Sequence, residues 1–123
     1  MLFTVMGLGC KSLTRTHTAD SDVVVGLWDD DRIGTLRGLR FNKIGYGGSV
    51  YGDESIMPLA GGGGYNPLLL RVAKFFETGE VPVSRDETTE IFAFMAAADE
   101  SKKKGGKRIF LDKVLQKARR SAK

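Results

Sequence analysis

The sequence has 123 residues, 41% of them hydrophobic, which is enough for one domain with a buried core and excludes a second full domain. It contains no run of about 18 apolar residues and no start typical of a signal peptide, so we expect a cytoplasmic protein without a membrane span. Cys10 is the only cysteine and His17 the only histidine. An internal disulfide is therefore excluded, and we expect no metal site of the zinc type.

The net charge of +4 combines two regions of opposite sign. Residues 102–123 hold ten Lys and Arg against one acid, whereas residues 1–101 hold nine against fourteen. A basic tail can bind phosphate backbones, but Lys-rich runs at helix ends and termini are more often solvated. Because no base-reading module or stacking aromatic accompanies the charge, we expect no nucleic-acid partner.

The N-terminal segment imitates a dinucleotide-binding motif. Leu2 to Met6 alternates in hydrophobicity, which predicts a short strand before a Gly-Leu-Gly segment, and Asp29 follows about 20 residues further on. However, the third glycine position of the motif is Ser12, and residues 11–22 lack a helical period. No helix is predicted to receive a phosphate, so we expect no cofactor site here.

The next segment is predicted to be an antiparallel hairpin over residues 22–41. Residues 23–28 (VVVGLW) are apolar without alternation, which favours a central strand covered on both faces. Asp29, Asp30 and Asp31 favour a turn, and the second strand runs over 33–41. Consecutive acids on a tight turn diverge, so a solvated turn is favoured over a metal site.

Glycine-rich sequence follows the hairpin. Residues 45–51 and 55–57 are predicted to form a second strand pair around Gly52 and Asp53. Residues 61–64, all glycine, are predicted to be a flexible joint.

A first amphipathic helix is predicted over residues 66–78. Asn66 can cap its start, Pro67 suits its first turn, and Gly79 follows its end. Its apolar stripe consists of Leu68, Leu69, Val72, Phe75 and Phe76.

The clearest prediction is a long helix over residues 84–104. Ser84 and Glu87 form the pattern of a capping box, and Lys102 to Lys104 precede Gly105 at the other end, where the helix dipole favours cations. The predicted buried stripe consists of Ile91, Phe94, Met95 and Ala98.

An edge strand at 108–110 and a last helix beginning at Leu111 complete the pattern. Strands followed by helices, without strand–helix alternation, favour a single α+β domain over residues 1–123. We expect a largely antiparallel open sheet with helices packed on one face.

The residues provide few candidates for chemistry. Hydride transfer would need a bound nicotinamide and an acid or base close to the reacting hydroxyl, and the sequence indicates neither. We therefore assign no catalytic residue. Arg15, His17 and Arg37 lie in or beside the predicted strands and are candidates to bind a polyol or a carboxylate substrate.

Four stretches resemble, in order, the C-terminal half of the glucose-fructose oxidoreductase / inositol dehydrogenase (Gfo/Idh/MocA) family. They are residues 21–40, 46–56, 65–79 and 83–111. The most specific part is E-x-x-E-I-F-A-F-M-x-A-A-D-E-S-K, which begins at Glu87 and precedes a glycine pair.

The resemblance implies a relation to NAD(P)-dependent enzymes that act on sugars, cyclitols and related polyols. Members of the family join a Rossmann domain to a C-terminal domain whose sheet shapes the substrate pocket and packs against a partner subunit. This sequence lacks the Rossmann domain, the Glu-Lys-Pro segment with the catalytic lysine and the Asp-x-x-x-His helix. The resemblance thus implies a truncated substrate-pocket and oligomerisation portion, not catalytic alone, with a separate Rossmann domain as one expected partner. The alternative is a self-standing oligomerisation or interaction module without enzyme activity.

The sheet is also the expected route to a homodimer. A half-domain would leave unpaired strand edges beside residues 23–28 or 33–41, and such edges bind other chains. We expect the two copies to meet through the sheet, with the helices 65–78 and 84–104 facing away from the interface. Trp28→Lys or Val25→Lys should then disrupt folding or assembly.

Overall fold

The computed structural model describes residues 2–41, 45–59 and 64–121. It confirms an α+β fold with a largely antiparallel sheet. The elements in chain order are α1 (Leu2–Met6), β1 (Cys10–His17), β2 (Ser21–Trp28), β3 (Ile33–Leu39), β4 (Gly48–Tyr51), β5 (Ile56–Leu59), α2 (Asn66–Thr78), α3 (Arg85–Lys103), β6 (Ile109–Phe110) and α4 (Leu111–Ser121).

The chain forms two compact units, one from Met1–Phe41 with Arg85–Lys123 and the other from Asn42–Ser84. The first unit contains a four-stranded sheet in the order β3-β2-β1-β6, with every neighbouring pair antiparallel. The predicted hairpin is confirmed as β2 and β3, and the predicted edge strand as β6. Helix α3 packs on β1, and α4 contacts both of them.

The core of the first unit is built around Trp28, whose side chain is fully buried. Its ring centroid lies 5.8 Å from that of Phe3 and 6.4 Å from that of Phe94, while the Phe3 and Phe94 rings meet edge to face at 5.4 Å. The indole Nε1–H donates to Gly7 O at 3.1 Å, so the polar atom of this buried ring is satisfied. The aromatic cluster thereby joins α1, β2 and α3.

Two glycines opposite each other on β2 and β3 make room for this indole. Gly26 pairs with Gly34, and a β-carbon built on either would lie 2.8 Å from Trp28 Cζ3. Such a distance is shorter than a carbon–carbon contact allows, so the absence of side chains here is a packing requirement.

Residues 2–6 form helix α1, so the prediction of a strand was wrong. In the helix, Leu2, Phe3 and Met6 stand at positions i, i+1 and i+4 and therefore face the core. A segment of only five residues can match both the helical spacing and the alternation of a strand. Gly7 ends the turn with a φ of 69° and donates its N–H to Phe3 O at 2.8 Å. Tertiary contact with the aromatic cluster decides between the two conformations.

Strand β1 was not predicted. The sequence predicted only that this segment is not a helix. Its sequence, CKSLTRTH, has little apolar alternation, but it is paired with β2 on one side and β6 on the other. The register shifts between Cys10 and Ser12, where one extra residue marks a β-bulge. Strand pairing on both sides outweighs weak local propensity.

Strand β2 is internal, as predicted, but it is not covered on both faces. Val24 and Trp28 are buried on the helix side, whereas Val23 and Val25 on the other side are 36% and 38% exposed. Because β2 is paired with β1 and β3, it offers no free edge either. The unpaired outer edge of this hairpin belongs to β3.

Helix α3 is confirmed with nearly the predicted bounds, but its buried face is rotated from the predicted stripe. Met95 is 49% exposed, although it was expected to be buried. Gly105 closes the end with a φ of 68°, as expected. The buried residues are Ala93, Phe94, Ala97, Ala98 and Ser101, and their small side chains fit the sheet surface.

The second unit contains the predicted strand pair, β4 with β5, and the predicted helix α2. The N-cap of α2 is Tyr65 without a side-chain capping bond, so the predicted cap at Asn66 was wrong. None of the residues of α2 is buried. The predicted joint at 61–64 lies outside the described residues except for Gly64.

Candidate functional site

Two of the three candidate substrate-binding residues meet at one carboxylate. Arg15 Nε and His17 Nδ1 each lie 2.8 Å from Oδ1 of Asp22. Since His17 pairs with Asp22 across β1 and β2, and Arg15 is two residues before His17, all three project from the helix side of the sheet. The hairpin turn between the strands fixes this arrangement, with Thr18 N–H donating to Ser21 O at 2.9 Å.

The cluster extends to a helix and to the end of the hairpin. Arg15 Nη1 lies 2.6 Å from Asp99 Oδ1 on α3, and Arg40 binds the second oxygen of Asp22. Arg40 also donates to the carbonyl of Thr18 at 3.2 Å. The hydrogen bond from Arg15 holds the pKa of the Asp22 carboxyl well below its ordinary value, with further contributions from His17 and Arg40 and an opposing contribution from burial. Asp22 is therefore ionised at any physiological pH.

A buried serine ties the same strand to the end of α3. Arg15 N–H donates to Ser101 Oγ at 2.9 Å, and Ser101 Oγ donates to Lys107 O at 2.7 Å. Ser101 is fully buried, so these two bonds satisfy a hydroxyl that would otherwise be costly to bury. This serine fixes the position of Arg15 relative to the helix.

Arg37 does not join the other two candidates. It pairs with Val23, whose side chain lies on the open face of the sheet, whereas Arg15 pairs with Val24 on the covered face. Arg37 is exposed. The three predicted residues therefore do not converge on one ligand.

The chemistry available to the cluster is limited to orienting an imidazole. A carboxylate only accepts hydrogen bonds, so the proton of neutral His17 resides on Nδ1 and Nε2 is left as an acceptor. Asp22 and Asp99 were not candidates from sequence. For Asp22 a signal existed, because a hairpin turn at 18–21 would place it opposite His17.

Cys10 lies in surroundings that disfavour its thiolate. Burial, followed by the nearby Glu90 carboxylate, raises the pKa of its thiol to about 12, so the thiolate is not populated at neutral pH. Glu90 of α3 instead accepts from the backbone N–H groups of Gly9 at 2.9 Å and Cys10 at 2.7 Å. This carboxylate therefore pins α3 to the beginning of β1.

The part of the chain that the structure describes offers no group of three or more His, Cys, Asp or Glu side chains arranged to hold a metal ion. Within the same residues, no helix combines the length and apolarity needed to cross a bilayer.

An apolar surface of the first unit is the side of β2 and β3 that faces away from α3, here called the open face. Its residues alternate with those of the core, and Ile33 is 66% exposed. The open face consists of Val23, Val25, Leu27, Ile33, Thr35, Arg37 and Leu39.

No protein-family model, curated protein or solved structure matches this chain.

Proposed function

We propose that this chain is an association module in which two copies meet through their open faces. The observation that carries the proposal is the contrast across β2, whose residues alternate between a packed core and an equally apolar exposed row. Contiguous exposed apolar surface of this kind marks interaction sites.

A second copy suits the composition of the open face. Val23, Val25 and Ile33 are β-branched, and such residues pack well when two sheets meet about 10 Å apart. Arg37 is the one charged residue that β2 and β3 themselves place on the open face, and on the outer strand its guanidinium can stay in water. Arg108 lines the same surface from the β6 side. A specific dimer buries about 800 Å² per partner, so side chains that flank the seven residues of the open face must also contribute to such an interface.

The oligomeric state of the wild-type chain tests this proposal. Light scattering at micromolar concentration should give twice the chain mass of 13.4 kDa. A monomer that melts sharply would contradict it.

We further propose that the module is the C-terminal substrate-pocket and oligomerisation portion of an NAD(P)-dependent oxidoreductase acting on sugars or polyols. The resemblance of residues 83–111 to that family supports this, and the antiparallel α+β fold is compatible with it. The isolated chain should then have no site selective for the nicotinamide ring, and saturable binding of NADH or NADPH that excess ATP does not displace would count against the assignment. A neighbouring reading frame that encodes a Rossmann domain would support it.

A self-standing association module without enzyme activity is the second candidate. The observation favouring it is that Arg15, Asp22 and Asp99 already pair with one another, so their charges are compensated without a ligand. A panel of sugars and polyols should then leave the melting temperature unchanged. A rise with one of them would instead favour the oxidoreductase portion.

A further inference from the structure

A cationic groove of about 250 Å³ lies where the end of α3, strand β6 and helix α4 meet. It belongs to the first unit and is lined by Glu100, Lys104, Arg108, Ile109, Phe110, Lys113 and Lys117. Arg108 also lines a depression with Val25, Leu27 and Ile33, and Phe110 pairs with Ser12, the partner of Leu27, so the groove borders the open face on the β6 side of the sheet.

Positive charge in the groove is only partly compensated. Its single carboxylate, Glu100, binds Lys104 at 2.5 Å, one helical turn away. Within the described residues, Arg108 and Lys117 form no ion pair, and Lys113 reaches only the exposed Asp112 at 3.9 Å. The hydrogen bond from Lys104 and the charge of Lys117 lower the pKa of the Glu100 carboxyl, so Glu100 is ionised at neutral pH. Its one negative charge is outnumbered by four cationic side chains of the lining, which leaves the groove net positive.

The groove also contains an aromatic side chain that the sequence pattern did not associate with the basic tail. Phe110 is 51% exposed although it lies on a strand next to the buried Ile109 and Leu111. An exposed ring beside cations is the combination that binds a nucleotide, because the base stacks on the ring while the phosphate meets the cations.

We propose that this groove binds nucleoside phosphates, with the phosphate between Arg108, Lys113 and Lys117 and the base against Phe110. The same chemistry is present in a free nucleotide and in each unit of a single-stranded nucleic acid. In a single-stranded nucleic acid, further phosphodiesters would contact the basic surface of α4. A free nucleotide would occupy only the groove.

Fluorescence anisotropy of the full chain with a fluorescein-labelled 12-nucleotide single strand tests the proposal, with unlabelled ATP as competitor. We expect saturable binding at 50 mM salt, and a slope of log K against log salt of about −2 if three phosphates are neutralised. Displacement of the strand by stoichiometric ATP would identify the free nucleotide as the ligand. Displacement only by another strand would identify nucleic acid.

Three variants locate the site. Lys117→Glu in the groove should weaken binding at least tenfold. Arg119→Glu is the same charge reversal two residues along α4, but Arg119 does not line the groove, so it should weaken binding less than threefold. Phe110→Ala should weaken binding about tenfold through lost stacking. Far-ultraviolet circular dichroism checks that these exposed substitutions leave the fold intact.

No saturable binding at 50 mM salt would overturn the proposal. Equal losses in Lys117→Glu and Arg119→Glu would also overturn it, because they would indicate diffuse attraction to the tail. An unchanged affinity in Phe110→Ala, together with equally tight binding of inorganic polyphosphate, would exclude a nucleotide.

Discussion

The two faces of strand β2 are similarly apolar and have opposite surroundings. On the covered face, Trp28 and Val24 are enclosed by α1 and α3, and the glycines of β2 and β3 yield space to the indole. On the open face, Val23, Val25 and Ile33 have no such cover. An uninterrupted apolar strand therefore indicates that both of its faces become buried. The surface that buries the second face can belong to another chain.

Trp28→Lys should have the largest effect, because it places a charge in the fully buried aromatic cluster of the covered face. Removing a buried Trp alone costs about 3–5 kcal/mol, a large fraction of the stability of a small domain. We expect loss of the cooperative unfolding transition in urea, followed by circular dichroism. Phe92→Lys, on the exposed side of α3, should retain that transition. A folded Trp28→Lys protein would contradict the packing described for this face.

Gly26→Ala should lower the free energy of unfolding by about 1–3 kcal/mol through overpacking. The added β-carbon would meet the Trp28 ring at 2.8 Å, and the ring cannot move without disturbing Phe3 and Phe94. Gly38→Ala on β3 is the matched control, since nothing lies within 4 Å of its β-carbon position. Chemical denaturation should therefore give a lower unfolding midpoint for Gly26→Ala than for Gly38→Ala. Equal midpoints would contradict the close packing of the Trp28 ring against Gly26.

Glu90→Gln should loosen the attachment of α3 to the sheet. The charge-assisted bonds to Gly9 and Cys10 N–H would become neutral ones, at a cost of about 1–2 kcal/mol. Glu100→Gln, on the same helix but paired only with exposed Lys104, should cost less. Hydrogen exchange at Gly9 and Cys10 should accelerate in Glu90→Gln, and unchanged protection would contradict the role assigned to this carboxylate.

The smallest predicted effect is a dependence of stability on pH below about 4, the ordinary pKa of an Asp carboxyl. Because the pKa of Asp22 is lowered in the folded state, its stabilising contribution is fully present above the ordinary value and is lost as pH falls toward the folded one. At pH 6, Asp22→Asn should be less stable than wild type in urea. That difference should shrink between pH 4 and pH 2, and a constant difference would contradict the lowered pKa.

The sequence pattern located α2, α3, α4 and the β2–β3 hairpin, because each carries strong periodicity or turn residues. It missed β1, whose strand conformation depends on pairing with β2 and with the distant β6, and it mistook α1 for a strand because five residues fit both periods. Of the candidate site, Arg15 and His17 were identified from their place near the strands. The carboxylates of Asp22 and Asp99 depend on strand register and helix rotation, which single-sequence patterns do not fix.

The oligomeric state of Val25→Lys tests the central claim, association through the open face, most directly. Val25 lies on that face and outside the aromatic cluster, so the variant should remain folded while the lysine opposes burial against a second copy. Light scattering should then give 13.4 kDa for Val25→Lys and twice that mass for both wild type and Phe92→Lys, in which the same type of change lies on α3. A Val25→Lys dimer as stable to dilution as the wild-type dimer would contradict the claim.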